Sequence, residues 1–284
     1  MSIRSFSTPK AHKAQALLCR KIVQEDRLPI RIRLVAGVDA AYIGKRAIGA
    51  VAVLDYENMR IAESQTAVVA VRFPYVSTLL SFREIPPVVA CIRKLGLQPD
   101  VFLADGHGVA HPYGCGFASH LGLAICKPTI GVAKKLLIGE PTEVNGKTFL
   151  VHAGKVVGAV VTTKEGAKPV YVSVGHLISL NTAVNIVQHC MFDNRIPQPL
   201  LAAHRMASEK RRELEVFEKP YVSPVDIPKA RRDSCERRYR GSNTKRLNSG
   251  DRGAGKTLQD LEGFPRWDSN GRLRGSRSPP TVQR

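Results

Sequence analysis

The sequence predicts an α/β fold, a mixed β-sheet with helices packed against its faces. Three observations carry this expectation. Three segments rich in Val, Ile and Ala follow one another early in the chain. Later segments alternate between helical and strand-like patterns. Of the 284 residues, 43% are hydrophobic, enough to build one sizeable core.

In chain order, RLVAGVDAAYI (33–43), AIGAVAVLD (47–55) and RIAESQTAVVAV (60–71) read as successive strands separated by polar breaks. TLLSFREIPPVVACIRKLG (78–96) reads as helical but interrupted, because Pro86 and Pro87 have no N–H for the hydrogen-bond ladder. Pro87 suits the first turn of a second piece, where that donor is not needed. DVFLAD (100–105) is a short buried strand, GFASHLGLAI (116–125) a helix and PTIGVA (128–133) another strand. Within TEVNGKTFLVHAGKVVGAVVTT (142–163), Asn145-Gly146 marks a tight hairpin, since both residues accept positive φ. KPVYVSV (168–174) is a further strand, followed by helices over LNTAVNIVQHC (180–190) and QPLLAAHRMASEKRRELEVFE (198–218).

Lys and Arg number 43 against 24 Asp and Glu, a formal charge of +19. That excess suits a polyanionic partner, nucleic acid before an acidic membrane surface. The six cysteines (Cys19, Cys91, Cys115, Cys126, Cys190, Cys235) form no CxxC pair, which fits reduced thiols better than a disulfide scaffold. Charge or glycine breaks every apolar run before it reaches membrane length, and the N-terminus shows no secretion signal. A soluble intracellular protein is expected, cytoplasmic or, in a eukaryote, nuclear.

Composition changes near residue 219. Residues 219–284 carry 16 Lys plus Arg and 7 Asp plus Glu, a net of +9, with no sustained hydrophobic period. Such a segment has too little apolar surface to offset its ordering entropy, so residues 1–218 are read as the folded domain and 219–284 as a disordered basic tail. The tail contains GDRGAGKT (250–257), which matches the phosphate loop of nucleotide hydrolases letter for letter. That loop works only between a buried strand and a helix that begins at its end. Here RRYRGSNTKRLNS precedes it and LQDLEG follows, so the match is read as coincidence.

Two acids stand out in the folded part. Asp39 interrupts the apolar VAGVDAAYI, and Asp105 ends VFLAD just before Gly106-His107-Gly108. A single Asp in such a place most often caps a turn or meets a cation. Two on neighbouring central strands suggest more. Glu84, before the Pro-Pro break, is placed to join them. Carboxylates converging on one sheet edge suit Mg²⁺, a hard cation that takes one or two carboxylates plus substrate phosphate. In a basic protein that arrangement points to metal-assisted phosphodiester hydrolysis. His107, His111 and His120 raise a zinc alternative, but their spacing does not match a closed zinc site and no thiol pair accompanies them. His204 shares a helix face with Leu200 and Ala207, so it is expected to point inward, where a satisfied core histidine is the plain alternative to a functional one.

Taken together and in order, VAGVDAAY, RFPYVSTLLSFREIP, FLADGHGVAHP, GFASHLGL, PTIGVAKKLL and YVSVGHLISL resemble endonuclease V across roughly residues 10 to 217. The resemblance implies a ribonuclease-H-like fold. It also implies Mg²⁺-dependent cleavage, with Mn²⁺ as a substitute, at the second phosphodiester 3′ of inosine or deoxyinosine, a DNA-repair activity of a monomer acting on DNA, with RNA as the alternative substrate. By motif, Asp39, Glu84 and Asp105 fall on the acidic metal positions and His204 on the C-terminal active-site histidine. Tyr75 falls on the wedge that helps expel the altered base, where a ring can replace lost stacking. Leu80, Gly106, Gly108 and Leu137 fall around the hypoxanthine pocket, where glycine lets backbone amides approach the base edge. His111 and Lys134 match polar positions nearby, and Lys134 suits a phosphate or a developing charge.

This chain departs from the family in three places. The wedge commonly reads Pro-Tyr-Ile-Pro-Gly, whereas here Val76, Ser77 and Thr78 follow Pro74-Tyr75, which should loosen that turn. Tyr113-Gly114 follow His111-Pro112 where the family usually has Arg. The tail is the third departure. A nucleic-acid-binding protein without catalysis remains the reading from another class, and three buried acids in a polyanion groove argue against it.

Overall fold

The computed structural model describes residues 7–162, 166–192 and 194–218. The expectations for the tail, including the GDRGAGKT loop, lie outside these residues. The described chain forms one nine-stranded mixed sheet with helices on both faces, the predicted class and a ribonuclease-H-like arrangement.

Its strands are β1 (Leu34–Ile43), β2 (Arg46–Asp55), β3 (Ile61–Ala70), β4 (Val101–Ala104), β5 (Thr129–Ala133), β6 (Glu140–Val144), β7 (Lys147–His152), β8 (Lys155–Val161) and β9 (Val170–His176). They lie in the order β3-β2-β1-β4-β5-β9-β8-β7-β6. The first three form an antiparallel meander, while β1, β4 and β5 run parallel at the centre. The Asn145-Gly146 hairpin forms as expected, with φ of 51° and 71°. A second turn of the same kind at Ala153-Gly154, which composition did not announce, splits the remaining segment into β7 and β8.

The helices are α1 (Thr8–Cys19), α2 (Ser81–Ile92), α3 (Phe117–Ile125), α4 (Leu180–His189) and α5 (Gln198–Glu218). Alternate residues of the central strands face opposite ways, as the pleat dictates. Ala36, Val38, Val51 and Phe102 pack with α2 and α3, whereas Val35, Leu54 and Leu103 pack with α4 and α5.

Two elements differ from the sequence reading. α1 was not expected, although Ser7 before Thr8-Pro9 is a start signal, with Pro in the first turn. α2 runs unbroken through Pro86 and Pro87. The two missing N–H groups cost hydrogen bonds, but Pro87, Val88 and Cys91 are buried against the sheet and packing holds the helix together.

Both flanking helices approach the sheet through a glycine. A Cβ on Gly49 of β2 would run into the Pro87 carbonyl of α2, and one on Gly37 of β1 into the Pro199 carbonyl of α5. These two contacts set the height of each helix along the strands, and with it the position of the site.

Candidate active site

The parallel register pairs Val38 of β1 with Ala104 of β4, so the next residues stand side by side where that pairing ends, Asp39 within the longer β1 and Asp105 just past the carboxyl end of β4. Ligands in α/β sheets bind at that edge. The contact of Gly37 with Pro199 brings α5 to the same place. Asp39 lies two strand residues beyond Gly37, about 7 Å, and His204 lies five helical residues beyond Pro199, about 7.5 Å. His204 Nδ1 and Asp39 Oδ2 meet at 2.7 Å. The expectation that His204 points inward is corrected. Leu200, Ala203 and Ala207 form the buried stripe, while the His204 side chain is 59% exposed at its shoulder, one position round the helix.

Glu84 arrives from the first turn of α2. Burial pushes its carboxyl up to about 8, and the charges of Asp39 and then Asp105 add to the effect while Arg83 opposes it. Burial, and then Asp105, likewise raises Asp39, against the hydrogen bonds from His204 and the Ala40 N–H. Asp105 is paired with Lys134, which follows β5. Burial, and after it the neighbouring negative charges, thus disfavours the ionised forms of Glu84 and Asp39, as in a donor set short of positive charge. As the side chains stand, Asp39 and Asp105 each turn to a neighbouring Lys or His, and among the described residues no three His, Cys, Asp or Glu side chains gather at metal-ligand spacing. The zinc alternative finds no support in the histidines. His107 bonds the Lys135 carbonyl, His120 bonds Ser81 and His111 accepts from the Tyr113 N–H.

A cavity of about 90 Å³ opens beside the acids. Leu80, Gly106, His111 and Leu137 line it, and so do Glu84 and Asp105. Three of the four residues that the resemblance sets around a base pocket, Leu80, Gly106 and Leu137, thus line one cavity, with His111 beside them. Gly108 is not among them. Its N–H donates to Ser173 Oγ at 2.8 Å and a Cβ there would strike the Val174 carbonyl, so this glycine serves the packing of β9. The Gly106 N–H is also taken, by the Ala104 carbonyl at 2.8 Å. The expected approach of both amides to a base edge is not what these bonds provide. Larger clefts, such as one of about 620 Å³ beside Tyr56 and His189, lie away from the acids.

Tyr75 is 69% exposed, so it is no core tyrosine. Beneath it the Arg83 guanidinium lies 5.7 Å from its ring centre and 4.7 Å from that of Tyr42. Ser77 and Thr78 form a 3₁₀ turn that leads directly into α2. That turn is not left loose. His12 of α1 bonds Thr78 Oγ1 at 2.8 Å and stacks on Tyr113 at 4.2 Å between ring centres. Two departures from the family pattern, Thr78 and Tyr113, thus meet on the helix that the sequence did not announce.

Sequence reasoning also missed Arg195. Its guanidinium donates to the Lys134 carbonyl at 2.9 Å and to the Pro169 carbonyl at 2.8 Å, fixing the loop that carries Lys134. Nothing in FDNRIP signals this, because the acceptors are backbone. Among the described residues no helix is long and apolar enough to cross a membrane.

Comparison with known proteins points to one family. The sequence profile of the Endonuclease V family matches residues 16–205. The endonuclease V of Thermofilum pendens is 46% identical over 208 residues, covering 72% of this chain and 89% of that protein. The crystal structure of the Streptomyces avermitilis endonuclease V superposes with a TM-score of 0.68 at 34% identity, over 74% of this chain and 96% of that one. Ciona intestinalis endonuclease V, solved with a 24mer DNA containing an inosine followed by a ribo-adenosine, gives a TM-score of 0.66 at 30% identity, over 72% and 98%.

Proposed function

The chain belongs to the endonuclease V family, and we propose that it is a metal-dependent endonuclease acting at inosine or deoxyinosine, cutting the second phosphodiester on the 3′ side in DNA repair. The observation that carries this reading is the shared wall between cavity and acids. Leu80, Gly106, His111 and Leu137 enclose a space beside Glu84 and Asp105, so an extruded base and the phosphodiester near it would be held by one site. The inosine-containing DNA bound by the Ciona relative supports the choice of base.

Burial, and with it the crowding of Asp39, Glu84 and Asp105, raises Asp39 and Glu84, which fits a divalent cation. We assign these three residues to Mg²⁺, with Mn²⁺ as substitute. The bound ion would supply Lewis acidity for the phosphate and an acidified water. His204 steadies Asp39 through Nδ1 and can take or give a proton at its other ring nitrogen. Lys134, held by Arg195 through its carbonyl, balances Asp105 and is placed to meet negative charge on the phosphate. Tyr75 stands out as the wedge, with Arg83 under its ring. The net charge of +19, +9 of it in residues 219–284, holds the nucleic-acid backbone without reading sequence.

Oligonucleotides carrying one inosine or one adenosine, incubated with the protein and Mg²⁺ but no ATP, test the proposal. A nick one nucleotide beyond inosine, lost on chelation, is expected. Cleavage of both substrates alike would refute it. The ribo-adenosine in the Ciona complex favours a second reading, an inosine-specific endoribonuclease. Matched DNA, RNA and DNA with one ribonucleotide after inosine separate the two, because only the 2′-OH differs.

A further inference from the structure

One residue lining the cavity carries a buried polar atom that the reading above does not use. Gln15 of α1 is 1% exposed and lines the cavity. Its Nε2 donates to the Cys115 carbonyl at 2.7 Å and to the Thr78 carbonyl at 3.1 Å. Both partners only accept, so the amide cannot be turned the other way without setting oxygen against oxygen. The Oε1 is left buried and without a partner. Two other buried side-chain atoms among the described residues share that condition, Tyr42 Oη and Arg83 Nε, but neither residue lines this space. A buried acceptor without a donor is costly, and native structures retain one where something else fills the role.

We propose that Gln15 Oε1 accepts the N1–H of the extruded base and so selects hypoxanthine over adenine. The inference rests on the inosine reading above and names the atom that makes the choice. Hypoxanthine carries a proton on N1, whereas adenine presents a lone pair there. Against Gln15 an adenine ring would leave two acceptors facing each other, both stripped of water, and a site built for an N–H rejects the base that lacks it. The neighbouring Gly106 and Gly108 amides are already bonded within the protein, so they do not compete for this task. Leu80, Phe117 and Leu137 supply apolar walls for the ring. Guanine also carries N1–H, so Gln15 gives no selection against it. That task falls to the space available around its 2-amino group.

The test uses the full chain and single-stranded oligonucleotides carrying one inosine, adenosine, nebularine (a purine lacking both N1–H and the 6-oxygen) or 1-methylinosine. Gln15→Met keeps the volume and removes the acceptor. It should lower kcat/KM on inosine about tenfold, the worth of one buried hydrogen bond, and change nebularine less than about twofold. Binding measured by anisotropy without metal should show the wild type favouring inosine over 1-methylinosine. An equal fall on inosine and nebularine would make Gln15 a prop for Cys115 and Thr78 and overturn the proposal. Equal wild-type binding of inosine and 1-methylinosine would overturn it even if the variant does not fold. A wild type that fails to prefer inosine over adenosine would remove the functional reading as well, whereas a preference of undiminished size in Gln15→Met removes this inference alone.

Discussion

His204 Nδ1 lies 2.7 Å from Asp39 Oδ2, a bond between the last long helix and the central strand that spans 165 positions of sequence. It places an exposed imidazole against a carboxylate that burial and Asp105 make reluctant to ionise. His204→Ala should therefore lower kcat on inosine substrates about a hundredfold, the lower range for loss of a positioned proton-transfer group, while binding changes little. Single-turnover cleavage alongside metal-free binding checks this. A comparable loss in binding would mean that the imidazole holds substrate instead.

Asp39→Ala and Asp105→Ala each relieve repulsion in the cluster and remove a candidate metal ligand. Cleavage should fall below about a tenth of wild type, since metal assistance is worth several kcal/mol, and binding without metal should be kept or tightened because a negative charge near phosphate is gone. Cleavage assays with anisotropy on the same oligonucleotides decide it. Retained cleavage in both variants would exclude a shared metal site.

Tyr75 projects into solvent with Arg83 under its ring, so its work is done outside the core. Tyr75→Ala should reduce cleavage of duplex inosine more than of inosine in a flexible single strand, where unstacking costs less. Thermal stability should change little. Equal losses on both substrates would contradict a wedge.

How much of this was legible beforehand varies with the physics. β1 and β4 were readable as apolar runs of strand length, one interrupted by Asp39 and the other ending at Asp105, and several walls of the cavity were readable through the family resemblance. α2 was misread as broken because local hydrogen bonding was weighed without the packing of Pro87 over Gly49, a contact between distant segments. His204 was placed on the correct helix but turned too far inward, since a helix face fixes direction only to within a residue position. Gln15 and Arg195 stayed hidden for another reason. Both act on backbone carbonyls, which every residue type offers.

Acid should loosen the protein before it unfolds the sheet. Burial, first among the causes, lowers His111 and His120 to about 4, and in the unfolded chain both return to near 6.5. Between those values the unfolded state binds more protons at these two sites than the folded one, so their contribution to stability is fully present above about pH 6.5 and is lost as pH falls toward about 4, against the opposite trend of Glu84, whose raised carboxyl takes up its proton first in the folded state. Thermal melts across this window should show that decline. His120→Asn can keep a bond to Ser81 and should make the decline shallower. An unchanged slope would mean that other groups govern it.

The last prediction joins the fold to the site. A Cβ on Gly37 would press on the backbone of Pro199, which has no side-chain freedom to yield, so α5 must move away from β1. Overpacking of this kind costs about 1–3 kcal/mol, and it lifts His204 off Asp39. Gly37→Ala should therefore lose stability and, at temperatures where it remains folded, also lose cleavage toward the level of His204→Ala. Gly146→Ala is the control. That glycine has φ of +71° in a hairpin with nothing near its missing Cβ, so the substitution strains the backbone without touching the site. It should destabilise the protein and leave cleavage of the folded fraction intact. Melting curves and cleavage rates for both variants separate the effects. Full activity in folded Gly37→Ala would show that α5 position and the His204–Asp39 bond are not coupled through this contact.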